Sequence, residues 1–138
     1  MEEKIKKRII EKIETLIDRV EFIEKNLSEE MLENRILRKA IYKEFQEAVE
    51  AMTDACALMR RSLNSSAQDD YSNIDFLMEK EIFERELGKK LKEANGLRNR
   101  LIHEYNGLND KIAYEAIKEL LQYLKKFSEE TLKWMKEK

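Results

Sequence analysis

Apolar residues recur at intervals of three and four along nearly the whole chain, the spacing that gathers them on one face of an α-helix. Ile5, Ile9, Ile10, Ile13, Leu16, Ile17, Val20 and Ile23 form a first stripe and predict a helix to about Lys25. Asn26-Leu27-Ser28 interrupts it. Ser28 followed by Glu29 and Glu30 predicts an N-cap with acids in the first turn, where the helix dipole favours them. The second stripe runs from Leu32 through Ile36, Ile41, Phe45, Val49, Met52, Cys56 and Met59 to Leu63. It predicts a helix roughly 50 Å long at 1.5 Å per residue, more than a small domain needs.

The polar run Asn64 to Asp70 is the best candidate for a mobile loop or a lip over a site. Ser72 or Asn73 is expected to cap a shorter segment through Ile74, Leu77, Ile82, Phe83, Leu87 and Leu91, with Gly88 as a weak point. A last helix, capped by Asn109 or Asp110, carries Tyr114, Ile117, Leu121, Leu124, Phe127, Thr131 and Trp134 to the C-terminus. Proline is absent and glycine occurs only at Gly88, Gly96 and Gly107, which leaves little punctuation for hairpins. The pattern predicts an all-α fold, an antiparallel up-and-down bundle of four to five helices forming a single domain over residues 1–138.

Composition narrows the function classes. Charged residues make up 41% of the chain, yet the formal net charge is only −2, so any contact with nucleic acid must be local. One cysteine, Cys56, and one histidine, His103, exclude an intramolecular disulfide and a four-ligand Cys/His zinc site. Cys56 falls on the apolar stripe and reads as a small hydrophobe. The charged N-terminus does not resemble a signal peptide, and no apolar run approaches the roughly 20 residues of a membrane span, so a cytoplasmic location is expected.

No phosphate loop, nucleophile elbow or metal-binding helix motif occurs. One stretch stands apart, Gly96-Leu97-Arg98-Asn99-Arg100-Leu101-Ile102-His103-Glu104-Tyr105-Asn106-Gly107, in which residues 97–105 are expected to be helical. At about 100° per residue, Leu97, Leu101, Tyr105, Arg98 and Ile102 share one arc. Asn99 and His103 sit four apart on a neighbouring face, and Arg100 and Glu104 point away. A guanidinium inside an apolar arc requires an anionic partner, and the stripe itself supplies none.

An arginine and a histidine together suit phosphodiester chemistry. Arg98 can hold a phosphate and stabilise the charge that develops on it, while His103, a side-chain type suited to proton transfer near neutral pH, can move protons. RNA brings its own nucleophile, the 2′-hydroxyl, so neither a metal nor another cofactor is required. Arg98 and His103 diverge by about 140° on one helix, and a single histidine is few for both base and acid. A two-fold dimer would place two copies of each in one cleft.

The eight residues Arg98 to Tyr105 resemble the Arg-x4-His-x-Tyr signature of HepT-type toxins, ribonucleases of the HEPN superfamily, and the all-helical layout is similar over essentially the whole chain. The resemblance implies a HEPN-like fold and a toxin–antitoxin role with metal-independent RNA cleavage at a dimer cleft. Arg98 and His103 would be the catalytic pair and Asn99 an assisting polar group. It also implies a small nucleotidyltransferase antitoxin of the MntA type that silences the toxin by transferring AMP to Tyr105. Two other readings stay open: within the same resemblance, a non-catalytic helical partner that positions a nucleotidyltransferase, and, from the residues alone, a purely structural bundle.

Overall fold

The computed structural model describes residues 1–103 and 107–138. These residues form five α-helices and no strand: α1 (Glu3–Asn26), α2 (Arg35–Ser62), α3 (Asp70–Glu79), α4 (Arg85–His103) and α5 (Asp110–Lys136). Cross-contacts fix the directions. Lys12 pairs with Asp54 and Arg19 with Glu47, so α1 and α2 run antiparallel. Asp70 meets Arg98 and Asp75 meets Lys92 between α3 and α4, and Lys90 meets Glu119 between α4 and α5. Each helix therefore folds back on the one before it or beside it. Among the described residues no helix is long and apolar enough to cross a membrane.

The predicted stripes become the core. Ile9, Ile13, Leu16 and Ile23 of α1 face Phe45, Met52 and Met59 of α2, and Ile117, Leu124 and Phe127 of α5 close over them, all buried. Burying each such side chain contributes about 1.5–3 kcal/mol. Cys56 is fully buried with its Sγ 3.9 Å from Met52 Sδ, as a core hydrophobe would be. Burial, reinforced by the Asp70 carboxylate, pushes its thiol well above the ordinary range.

Several boundaries differ from those predicted, and the single segment expected from Ser72 through Leu91 is divided into α3 and α4 by residues 80–84. α2 begins at Arg35 and not after Ser28, because Glu29–Leu32 forms a separate 3₁₀ turn and Ser28 makes no side-chain cap bond. Asn34 caps α2 by accepting from the Leu37 amide at 3.0 Å, and Arg38 donates to the carbonyls of Met31 and Leu32 that the turn leaves open. At 28 residues α2 spans roughly 42 Å, shorter than the roughly 50 Å its stripe predicted. α3 is capped by Asp69, which accepts from the Ser72 amide at 2.8 Å, and neither Ser72 nor Asn73 serves. Finally, α4 runs unbroken through both Gly88 and Gly96, so Gly96 does not open the signature stretch. Gly88 is there for space: a Cβ on it would lie 2.0 Å from Met78 Sδ.

Candidate active site

α4 carries the signature. Leu97 and Leu101 are buried and fix its rotation, which turns Arg100, Ile102 and His103 outward and leaves Arg98 and Asn99 half-buried at the junction with α3. Ile102 was expected in the apolar arc but is 45% exposed. His103, the last described residue of α4, is exposed, and so is Arg100. The described part of α4 ends here, and Glu104, Tyr105 and Asn106 lie outside the described residues, so the placement expected of Tyr105 belongs to that segment.

Arg98 is not the unmatched cation that its helical arc suggested. Its side chain is only 12% exposed, and its Nη2 donates to Asp70 Oδ2 at 3.0 Å and to Asn95 Oδ1 at 2.7 Å. Its Nε donates to Asn99 Oδ1 at 3.0 Å. A guanidinium has five donors in a planar fork. Three of these are committed to one edge, and the Nη1 protons have no partner among the described residues. The group is thus oriented before any ligand arrives, with Nη1 left to offer.

Sequence reasoning missed Asp70 and Asn95. Asn95 was within reach, since it stands three residues before Arg98 on the same helix and is 1% exposed. Asp70 is 28 residues away in sequence and becomes a neighbour only because α3 and α4 run antiparallel.

Downstream, the chain re-enters at α5, where Asn109 caps the helix by accepting from the Ile112 amide at 3.0 Å, as predicted. Asp110 is held by the Tyr42 hydroxyl at 2.6 Å and faces Arg38 Nε at 3.6 Å. Burial first, then this bond to Asp110, raises the pKa of the Tyr42 hydroxyl. Arg98 near the end of α4 and Asp110 at the start of α5 are therefore each tied to a different neighbour, α3 and α2. A groove of about 300 Å³ between α1 and α5 is lined by Leu16, Ile17, Val20 and Leu132, and none of the signature residues lines it. Among the described residues no three His, Cys, Asp or Glu stand together as a metal site.

Comparison with known proteins agrees with this architecture. An Archaeoglobus fulgidus protein named "Putative RNase" is 32% identical over 116 residues, covering 83% of this chain and 88% of that protein. The fold matches the tri-AMPylated HEPN toxin of Shewanella oneidensis, solved in complex with an MNT antitoxin, with a TM-score of 0.84 at 22% identity over 95% of this chain and 98% of that one. It also matches YutE of Bacillus subtilis, a cytosolic protein of unknown function, with a TM-score of 0.82 at 15% identity over 94% and 90% of the two chains. The family model described as Ribonuclease HepT-like matches residues 7–131, and the chain belongs to that HepT-like family of the HEPN fold.

Proposed function

We propose that the chain is the toxin of a toxin–antitoxin pair, an endoribonuclease that cleaves RNA without a metal through Arg98 and His103. The observation that carries this reading is Arg98 itself, pinned on its Nε and Nη2 edge by Asn99, Asn95 and Asp70 with His103 exposed one and a half turns further along the same helix. A pre-oriented guanidinium loses little on binding a phosphate and gains as negative charge grows on the phosphoryl oxygens. The RNA 2′-hydroxyl attacks the adjacent phosphorus, its proton passes to a histidine, and the 5′-oxygen leaves with a proton from an acid. The product ends are a 2′,3′-cyclic phosphate and a 5′-hydroxyl.

One histidine is few for this reaction, because in an in-line displacement the base and the acid act on opposite sides of the phosphorus. A two-fold homodimer in which the exposed ends of two α4 helices face each other supplies two, and the whole of residues 1–138 acts as one domain in that assembly. Asn99, bonded to Arg98 Nε, assists by holding the guanidinium plane. The partner is a nucleotidyltransferase antitoxin of the MntA kind, as in the Shewanella complex. It silences the toxin by adenylylating Tyr105, a role that rests on the motif spacing. An AMP group two residues beyond His103 brings bulk and negative charge to the phosphate-binding end of α4 and competes with RNA.

The test is cleavage of a mixed RNA substrate in excess chelator, comparing the chain expressed without antitoxin with its His103→Ala form and recording the intact mass of both. The unmodified chain should cleave, and His103→Ala should lose about 10²–10⁴-fold in rate while folding normally. No cleavage by an unmodified, folded dimer would replace this reading with that of a non-catalytic partner which positions the nucleotidyltransferase.

A further inference from the structure

Arg60 is buried, 8% exposed, at the C-terminal end of α2, and no carboxylate lies within ion-pair distance of it among the described residues. A cation in such a place is costly unless its donors are satisfied. Those on Nε and Nη1 are met by one short stretch of chain. Nε donates to Ser65 Oγ at 3.0 Å, and Nη1 donates to Ser72 Oγ at 3.2 Å and to Asn73 Oδ1 at 3.4 Å. The guanidinium carbon stands 4.5 Å from the centre of the Phe76 ring, a cation–π contact that completes its surroundings.

The same stretch is cross-linked to itself. Asn73, 1% exposed, accepts from the Gln68 amide at 2.8 Å and donates to the Gln68 carbonyl at 3.1 Å. Ser72 Oγ donates to Gln68 Oε1 at 2.8 Å, and Asn64, at a φ of 61°, turns the chain off the end of α2. Asn is among the few non-glycine residues that accept that conformation readily. Residues 64–70, which the sequence marked as a mobile loop or a lip over a site, are therefore tied to one buried guanidinium through Ser65, Ser72 and Asn73. What they deliver is Asp70, at 3.0 Å from Arg98.

We infer that Arg60 is a positioning residue for the ribonuclease site, acting through the 64–73 segment to hold Asp70 against Arg98. The inference rests on the reading of Arg98 as the phosphate-binding group. Arg60 touches neither Arg98 nor the substrate. Its role is to set where α3 begins, and a planar fork with an aromatic platform fixes that position in a way a lysine's point charge cannot. Without it the guanidinium of Arg98 keeps Asn95 and Asn99 but loses the one carboxylate that holds it among the described residues, and so spends less time oriented for a phosphate.

The test follows Arg98 directly, by NMR of the full chain labelled with 15N-arginine, and in parallel follows RNA cleavage and thermal midpoint. Asp70→Asn should speed exchange of the Arg98 Nη protons about tenfold or more, the loss expected for a charged hydrogen bond, with a similar fall in kcat/KM. Arg60→Lys should do the same to a smaller extent. In the double variant Arg60→Lys should add less than about twofold to the effect of Asp70→Asn, because both remove one restraint, while its lowering of the thermal midpoint persists. Ser72→Ala, which keeps Arg60 and removes one acceptor, should move Arg98 in the same direction and serves if Arg60→Lys does not fold. Arg98 signals unchanged in the Arg60 and Ser72 variants, or effects that multiply in the double variant, would overturn the inference. Should the unaltered chain cleave RNA no better than His103→Ala, the ribonuclease reading falls, and the exchange rates still decide whether Arg60 holds Asp70.

Discussion

The body of α2 and its C-terminal end work in contrasting chemical environments. Along most of its length α2 packs against α1 and α5 through aliphatic and aromatic side chains, with few buried hydroxyls. Thr53 Oγ1 donates to the Glu50 carbonyl and Ser128 Oγ to the Lys125 carbonyl, each within its own helix, while Thr131 Oγ1 of α5 reaches only a thioether, Met59 Sδ of α2, at 4.0 Å. At the corner where α2 meets α3 and α4, buried Arg60 and Asn73 join α2 to α3 instead, and buried Asn95 holds Arg98 of its own helix, which in turn reaches Asp70 of α3. A bundle core gains nothing in stability from polar groups of this kind, since each must recover its lost hydration. Their concentration beside Arg98 separates the part of the chain that keeps the fold from the part that arranges a site.

That separation can be broken most directly in the scaffold. Phe127 is fully buried on α5 and tilts against Phe83 with 5.3 Å between ring centres. Phe127→Ala should cost about 3–5 kcal/mol, read from the denaturant midpoint, through lost burial and the cavity left behind. RNA cleavage per folded molecule should stay within about twofold of the parent. A large loss of activity in protein that remains folded would mean that scaffold and site are mechanically one unit.

A second substitution sharpens the comparison at the border between them. Gly88 of α4 lies against Met78 of α3, and a methyl group there would approach Met78 Cγ to 2.5 Å as well as its Sδ to 2.0 Å. Alanine improves the helix by up to about 1 kcal/mol. The contact is to the middle of the Met78 side chain, so overpacking of about 1–3 kcal/mol should outweigh this gain. Gly88→Ala is expected to lose about 1 kcal/mol net and to loosen α3 from α4 enough to lower cleavage, while Gly88→Ala combined with Met78→Ala should recover part of both. Equal stability and activity in Gly88→Ala would show that the α3–α4 seam tolerates displacement and that Asp70 is not held through it.

How much of this was legible in sequence follows the same division. The stripes of α1 and α5 located their helices to within a residue or two, because an amphipathic helix in a bundle is specified by its own periodicity. Leu97 and Leu101 likewise fixed which way α4 faces, which made Arg98 and Asn99 identifiable at the inner edge. The starts of α2 and α3 were not legible, because several capping residues competed at each. The sequence pointed to Ser28 and to Ser72 or Asn73, but Asn34 and Asp69, residue types that cap equally well, take those places, where Arg38 and Arg60 tie the neighbouring chain. Asp70 could not be read at all. Its meeting with Arg98 depends on how an irregular segment is folded around Arg60, and nothing in local periodicity encodes that.

The smallest effect probes the scaffold where it departs from its own rule. Arg19 of α1 is surrounded by three carboxylates: it bonds to Asp18, and its Nε lies 2.9 Å from Glu47 Oε1 and 3.3 Å from Glu44 Oε2. Glu44 Oε2 is buried and is the one such side-chain oxygen or nitrogen without a hydrogen-bond partner among the described residues. Burial raises the Glu44 pKa above the ordinary 4.5; Arg19 opposes the shift, and Glu47 and Asp18 add to it. A carboxyl whose folded value is raised contributes stability in its protonated form, fully below the unfolded value of 4.5 and lost as pH rises through the folded value. At neutral pH the ionised group is therefore a small burden. Glu44→Gln should raise the thermal midpoint slightly at pH 7, by on the order of 0.5 kcal/mol in stability, and the advantage should shrink as pH falls towards 4.5. The measurement is a pair of melting curves across that range with RNA cleavage recorded alongside. A destabilised Glu44→Gln at pH 7 would show that attraction to Arg19 outweighs burial, so that the long α1–α2 seam, like the corner at Arg98, is organised around an arginine and not by apolar packing alone.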